Sequence, residues 1–323
     1  MAVAVTNTIA NAGGAWPGQA EDFADVIYNV SPEDTPFITL AKKISANARV
    51  YQWQEDSLVA AAANAQQEGD DASFTTAVPT TSLSNPLQIA RKTVNVSGTL
   101  DAVKKYGRKS ETAYLLVKGG KELKRDMEYA VCRNQASAAT TTARATGGFE
   151  CWIDSNLVRA NSAQTTDYSV RGFSSGSVTA PEDGTLVSFI EADLKSALGL
   201  AWADGGDPSI IMMSAFNKSQ FDGFTGVATK YRAVEGNKQA TIVGASDVYV
   251  SSFGTHFIKL NRYMRNEAVF CIDPDYIGLA VLRDIQKKEL AATGDGSKFL
   301  MLAEFGLVVQ NRNAHAVVGG VGK

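Results

Sequence analysis

Residues 108–139 read RKSETAYLLVKGGKELKRDMEYAVCRNQASAA, and their apolar spacing predicts the longest helix of the chain. Charged residues separate four apolar positions that recur at helical spacing, Leu116, Leu123, Met127 and Val131. Ser110 is a suitable N-cap, because its hydroxyl can accept a hydrogen bond from an N–H of the first turn. The Gly119-Gly120 pair is the weakest point, where a bend or break can occur, since each glycine costs about 1 kcal/mol relative to alanine in a helix interior.

The segment before this helix has the opposite character. Residues 50–90 contain five acidic residues and no lysine or arginine, whereas residues 101–133 contain nine basic residues and five acidic ones. Strand-like sequences open and close the acidic segment, at 50–53 and 88–96. We interpret it as a long two-stranded ribbon that needs support from elsewhere, because an isolated ribbon is marginal in water. A mobile loop is the alternative.

The remainder of the chain mixes helical and strand-like patterns. Residues 1–20 are small and polar and are typical of an extended arm, and a short amphipathic segment follows at 22–28. Helices are predicted at 185–202 and 215–224. Strands are predicted at 208–213, 247–250, 257–260, 268–272, 278–282 and 299–309. The predicted fold class is α+β, with the last strands returning to pack under the long helix.

Composition narrows the range of functions. The 323 residues include 31 Lys+Arg and 34 Asp+Glu, a net charge of −3, whereas nucleic-acid-binding proteins usually carry a basic domain. The three cysteines form no CxxC motif and suit a reducing compartment. Since no apolar run reaches about 18 residues, we predict no membrane span. A chain of this length can bury a large core, and we expect two structural units.

Catalytic motifs are scarce. His256 and His315 lie in no HExxH motif and near no cysteine at zinc-ligand spacing, so both are interpreted as structural. The glycine-rich end lacks the first glycine and the Ser/Thr of a phosphate loop. No cofactor and no metal site are predicted. An enzyme with a carboxylate site at Glu55, Asp56 or Asp273 stays as an alternative.

Several short sequences, in order along the chain, carry a resemblance to a known family. They are NVSPEDTPF (29–37), WQEDSL (53–58), Glu68-Gly69, VSGT (96–99), ELKRD (122–126) with Glu128, DVY (247–249) with Phe253-Gly254, Leu290-Ala291 with TGD (293–295), and Glu304 with Leu307 and Asn311. Their order and spacing, from about residue 20 to the end, resemble the major capsid proteins of tailed bacteriophages, which have the Hong Kong 97-type fold. Members of that family are shell subunits and not enzymes.

The resemblance implies a domain order. It assigns 1–46 to an N-terminal arm, 47–100 to the E-loop with its flanking strands, 101–184 to the P-domain with the spine helix, 185–282 to the A-domain, and 283–323 to C-terminal strands that return to the P-domain. In this family the E-loop lies across a neighbouring subunit, which would supply the support that the ribbon lacks.

The resemblance also implies which residues contact other subunits. On the E-loop they are Trp53, Glu55, Asp56, Glu68, Asp70, Asp71 and Phe74. Along the spine helix and the segment before it they are Lys104, Lys105, Arg108, Lys109, Lys118, Lys121, Lys124 and Arg125. On the N-terminal arm they are Asp34, Pro36 and Phe37. We expect the acidic loop to face a neighbour's basic helix; two solvated faces are the alternative, since an exposed ion pair contributes only about 0–1 kcal/mol.

The expected function is therefore that of a major capsid protein. Assembly through pentamers and hexamers would form the icosahedral head of a tailed double-stranded DNA phage, in the cytoplasm of the bacterial host. Expected partners are further copies of the chain and portal, scaffolding and decoration proteins, with scaffolding supplied separately because few residues precede the resemblance. The enclosed DNA would not be read by sequence, and a slightly acidic subunit avoids holding its phosphates. An encapsulin-type compartment shell is the alternative within the same fold.

Overall fold

The computed structural model describes residues 34–69, 71, 74, 76–139, 143–160, 173–174, 177–224, 247–291 and 294–323. Its helices are α1 (Pro36–Leu40), α2 (Gly98–Ala102), α3 (Glu111–Cys132), α4 (Glu191–Ala203) and α5 (Ala215–Asp222). The first seven strands are β1 (Lys42–Ser45), β2 (Val50–Glu55), β3 (Thr81–Pro86), β4 (Gln88–Ser97), β5 (Leu157–Arg159), β6 (Phe173–Ser174) and β7 (Ser177–Val178). The other seven are β8 (Ile210–Met213), β9 (Val248–Ser251), β10 (Gly254–Leu260), β11 (Ala268–Ile272), β12 (Ile277–Leu290), β13 (Gly296–Val309) and β14 (Ala316–Gly319). The predicted amphipathic segment at 22–28 lies outside the described residues.

The long helix α3 forms where its periodicity predicts it. Ser110 caps it, because its hydroxyl accepts a hydrogen bond from Ala113 N at 3.3 Å. The helix runs unbroken through both glycines, and a Cβ on the buried Gly119 would collide with Met301 of β13. Glycine there permits a close approach of helix and sheet, which explains its presence at an intrinsically weak position.

The predicted end of this helix, at residue 139, is wrong. The helix stops at Cys132, and Arg133 is extended (φ −91°, ψ 161°). Beyond it, the side chain of Gln135 donates hydrogen bonds to Thr146 O at 2.8 Å and to Gln88 Oε1 at 2.9 Å. These contacts to segments distant in sequence replace the helical bonds, and a local pattern cannot reveal them.

A four-stranded sheet lies under α3, in the order β1-β12-β13-β4. β12 and β13 form a long antiparallel hairpin, and β1 pairs parallel with the first part of β12. Met301 and Phe305 of β13 share one buried cluster with Leu123 and Met127 of α3. β13 therefore packs under the long helix, as predicted for the returning strands, and β12 is longer than its predicted 278–282.

A six-stranded sheet forms the second layer, in the order β5-β14-β11-β8-β10-β9. The last strand, β14, lies inside this sheet between β5 and β11 and not under α3. α4 and α5 cover one face of the sheet. α4 begins at Glu191 and not at 185, because Val187 pairs with Val321 in a β-bridge, and its N–H donates to Gly320 O at 2.9 Å.

The acidic segment does form a ribbon, but its second strand differs from the prediction. β2 pairs antiparallel with β3, whereas the predicted return strand at 88–96 corresponds to β4 and pairs with β13. The chain changes sheet at the buried Leu87, whose N–H donates to Arg49 O at 2.9 Å. β3 has the sequence TSLSNP, which carries little of the β-branched and aromatic signal by which strands are predicted.

No helix in the part of the chain listed above is long and apolar enough to cross a lipid bilayer. The domain boundaries at 46, 100, 184 and 282 remain predictions.

Candidate assembly surfaces

The base of the ribbon is bound to its own subunit. The Trp53 ring lies 5.1 Å from that of Trp152, and Leu83 is buried in the main core cluster. Glu55 accepts hydrogen bonds from the Arg312 backbone N–H at 3.1 Å and from its Nε at 2.9 Å. Trp53 and Glu55, both predicted to contact a neighbour, are thus already engaged within the chain, and their role between subunits stays a prediction.

The tip of the ribbon, residues 56–80, has the opposite environment. Four large apolar side chains are 80–99% exposed, namely Leu58, Val59, Phe74 and Val78. Three of the predicted acidic contacts, Asp56, Glu68 and Asp71, are exposed beside them, and Asp70 lies outside the described residues. Large apolar side chains gain free energy only when another surface removes them from water, and no described residue of the same subunit covers these four.

The predicted basic residues fall into two groups. Five of them are exposed: Lys104, Lys109, Lys118, Lys121 and Lys124. Arg125 is only partly exposed, and Lys105 and Arg108 both approach the buried Glu111 at the start of α3, with Lys105 Nζ at 3.9 Å. The outer face of the long helix therefore presents a row of lysines. In the segment before the helix, by contrast, two of the basic side chains are paired with Glu111 of the same subunit.

A buried glutamate joins the arm to the long helix. Glu128 of α3 accepts hydrogen bonds from the backbone N–H groups of Phe37 and Ile38, both at 2.8 Å. Asn261 Nδ2 donates to the same carboxylate at 2.7 Å. Burial raises the pKa of Glu128, although these hydrogen bonds act in the opposite direction.

The predicted arm residues lie next to the contact between Glu128 and α1. Phe37 is buried, with its ring 5.5 Å from that of Phe149, and Pro36 occupies the first position of α1, where its missing N–H costs nothing. Asp34 is exposed. From the sequence, Glu128 is one of the charged residues between the apolar positions of the helix, and no buried role was predicted for it. Its place between Met127 and Val131, on the apolar side of the helix, is the signal that could have identified a buried acid.

A second polar node is centred on Glu304, which the sequence analysis named only within the family resemblance and without its partners. Glu304 of β13 is buried and binds two arginines, Arg144 at 2.5 Å and Arg283 at 2.8 Å. Nearby, the buried Asn85 Nδ2 donates to Thr146 Oγ1 at 2.9 Å and to a carbonyl of β13. These contacts bind the segment around residue 146 to the ribbon base and to the four-stranded sheet. The base of the ribbon is therefore held in place by the rest of the subunit.

Both histidines, and Asp273 of the enzyme alternative, have structural partners. His256 is buried between Pro208 O, 2.5 Å from Nδ1, and Ser251 Oγ, 2.7 Å from Nε2. Burial lowers the pKa of His315 to about 3, and its Nδ1 accepts a hydrogen bond from Asp273 N at 3.1 Å. The Asp273 carboxylate caps the turn that follows it. Within the described ranges, no group of three or more His, Cys, Asp or Glu residues could hold a metal ion.

Comparison with known proteins identifies the family. Residues 4–322 match the family model described as SU10 major capsid protein. The chain is 30% identical over 329 residues to the major capsid protein of Escherichia phage Phieco32, with 93% of each chain covered. Its fold is similar to a solved chain from Microbacterium phage Oxtober96 (TM-score 0.64, 14% identity, 98% of this chain and 99% of that chain). It is also similar to the capsid of a native GTA particle (TM-score 0.63, 14% identity, 98% and 100%).

These two structural similarities show the α+β fold of the Hong Kong 97 type. Because the family model covers nearly the whole sequence, the chain belongs to the SU10 major capsid protein family, and its function is that of a major capsid protein in the virion of a tailed phage.

Proposed function

We propose that this capsid protein assembles through pentamers and hexamers into an icosahedral head in which each ribbon tip lies on a neighbouring subunit. The observation that carries the proposal is the contrast within the ribbon. Its base is bound to the core through Trp53, Glu55 and Leu83, whereas Leu58 and Phe74 at the tip are almost fully exposed. A rigid base that presents an apolar tip to solvent is suited to binding a second copy.

Charge gives this contact its register. The tip carries Glu68 and Asp71, and the outer face of α3 carries Lys118, Lys121 and Lys124. Each exposed pair would contribute only about 0–1 kcal/mol. Complementary charge fixes orientation and suppresses wrong docking more than it adds affinity, and the contact would recur at every subunit of a shell.

The same proposal covers what the head contains and what else it binds. We infer that it encloses double-stranded DNA without reading its sequence, and that portal, scaffolding and decoration proteins join it in the host cytoplasm. A net charge of −3 supports the inference about DNA, because a basic inner surface would hold the DNA phosphates. An encapsulin-type shell would use the same architecture around protein cargo, and the match to a phage capsid family supports the phage head instead.

Shortening the ribbon tests the proposal. Glu55 and Thr81 are the last paired residues of β2 and β3, so residues 56–80 can be replaced by Asn-Gly, which closes a two-residue hairpin turn. The buried Leu83 and Asn85 stay in place, so the subunit should fold normally. Electron microscopy should then show no closed shells. The double substitution Gln66→Ser and Gln67→Ser, which changes two polar side chains and keeps Leu58, Val59, Phe74 and Val78, should assemble normally.

The outcomes separate the alternatives. Normal shells from the shortened variant would contradict the role of the tip. Wild-type particles filled with DNA support the phage head, and particles filled with a cargo protein support the compartment.

A further inference from the structure

Among the residues that the structure describes, only part of one face of the six-stranded sheet is covered. Residues that are direct partners on neighbouring strands point to the same face, and one such row runs from Ile272 through Ile210 and Phe257 to Val248. The first two residues of this row are buried. Phe257 is 54% exposed and Val248 38% exposed, and Val250, two residues further along β9, is 57% exposed. The exposed apolar patch is thus the continuation of a core face over β10 and β9.

The described residues that pack on this face end beside α1. Over β8 and β11 it consists of residues of the main core cluster, such as Phe149, whose ring lies 5.5 Å from Phe37 of α1 and 4.9 Å from Phe270 of β11. The first described residues then share a surface depression with β10. Asp34, Thr35 and Pro36 line one side of it, and Lys259 and Leu260 line the other.

Asp34, the first described residue, therefore lies at the border of the part of this face that no described residue covers. Neighbouring strands lie about 4.8 Å apart, so β9 is only one strand beyond β10. Residues 22–33 span about 18 Å even if they are fully helical, at about 1.5 Å per residue. This segment is long enough to cover both strands.

The chemistry of the arm fits the same face. Residues 1–41 contain five acidic residues and no lysine or arginine, and the sequence 22–28, DFADVIY, combines acidic with large apolar side chains. Around the uncovered face, Lys259 and Arg262 are exposed. The acidic and apolar side chains of this sequence would therefore complement an apolar patch that has exposed basic residues beside it.

We propose that residues 22–28 dock on the β9–β10 face of their own subunit. Phe23, Val26 and Ile27 cover Val248, Val250 and Phe257, and the acidic side chains lie toward Lys259 and Arg262. The proposal goes beyond the capsid function, because it assigns the N-terminal arm an intramolecular binding site. It holds whichever surface the ribbon tip contacts.

A pair of engineered cysteines tests the docking in the full-length protein. The three native cysteines are free and buried, so they should not compete with Val26→Cys and Val250→Cys. Mild oxidation should produce an intrachain disulfide, which mass spectrometry of the tryptic digest detects. The control pair is Val26→Cys with Val117→Cys, on the exposed face of α3, and it should form no intrachain bond.

Each result of this experiment decides the proposal. An intrachain bond in the test pair alone supports it. A disulfide-linked dimer would show that another copy's arm occupies the face, and would overturn the intramolecular site. The absence of any bond, or equal bonding in both pairs, would overturn docking at this face.

Proteolysis provides an independent measurement. Chymotrypsin can cut the arm after Phe23 and Tyr28 only when the arm is released. The double substitution Val250→Ser and Phe257→Ser should accelerate these cuts about tenfold, since it removes the apolar patch. The control Phe216→Ser, an exposed aromatic on α5, should leave the rate unchanged. Equal cleavage rates in all variants, with unchanged thermal unfolding, would refute the proposal.

Discussion

Replacing Glu128 by alanine should detach α1 from the long helix. The substitution removes the oxygen acceptor of three donors, namely the N–H groups of Phe37 and Ile38 and the side chain of Asn261. Asn261 keeps only the weaker sulfur acceptors of Cys132 and Met212. Each unsatisfied donor costs about 1–3 kcal/mol, while removal of the buried charge recovers part of its desolvation penalty. We expect a net loss of about 3 kcal/mol in the free energy of unfolding, the lower end of what breaking a buried charged network costs.

Denaturant unfolding and hydrogen exchange measure this loss and locate it. The matched control is Glu122→Ala on the same helix, since that side chain is 36% exposed and 4.0 Å from both Lys92 and Lys118, and it should lose less than about 1 kcal/mol. In Glu128→Ala, the N–H groups of Thr39 and Ala41, which bond within α1, should exchange faster. Equal losses in the two variants, or unchanged exchange in α1, would refute the reasoning.

The pH dependence of the same site has a defined sign. Burial raises the pKa of Glu128 above its ordinary value of 4.5, so the folded protein holds this proton more tightly than the unfolded chain. The contribution to stability is fully present below pH 4.5 and is lost as pH rises through the raised pKa. Glu128→Gln lacks this contribution, so the wild type should gain stability relative to that variant as pH falls from 7 toward 4.5. A constant difference across this range would contradict the raised pKa.

Three further predictions concern the shell and its subunit. Denaturing electrophoresis of mature particles should show a band near 34.3 kDa, because residues 50–90 contain no lysine amine that could form an isopeptide cross-link from the ribbon to a neighbouring subunit; a ladder that survives boiling would contradict this. Glu68→Lys, Asp70→Lys and Asp71→Lys together should slow assembly at low salt, and glutamate at positions 118, 121 and 124 should partly restore it. Wild-type rates from the triple reversal would show that apolar contacts hold the tip. Gly148→Ala should cost about 3 kcal/mol, because its Cβ would collide with the backbone carbonyl of Arg133, whereas Gly120→Ala faces open space and should stabilise by about 0.5–1 kcal/mol; equal thermal stabilities would refute this contrast.

Part of the candidate assembly surface could be predicted from the sequence. The acidic ribbon, its lysine-free tip and the basic helix are patterns of composition, and many of their charged side chains are exposed. Their contacts between subunits stay a prediction. The division of the ribbon into a bound base and an exposed tip could not be predicted from the sequence. It depends on Trp152 and Arg312, which are about 100 and 260 residues away from the strand that they hold.

The sequence by itself determined the long helix and the buried strands. Ser110 and the spacing of Leu123, Met127 and Val131 act within a few turns of one helix, and the strand at 268–272 is a continuous apolar run, so both signals are local. Only the tertiary structure decided that β3 closes the ribbon, that β14 joins the six-stranded sheet and that Glu128 binds the arm. These choices depend on which hydrogen-bond partners and apolar faces meet across the folded chain, and a local pattern carries no information about partners that are distant in sequence.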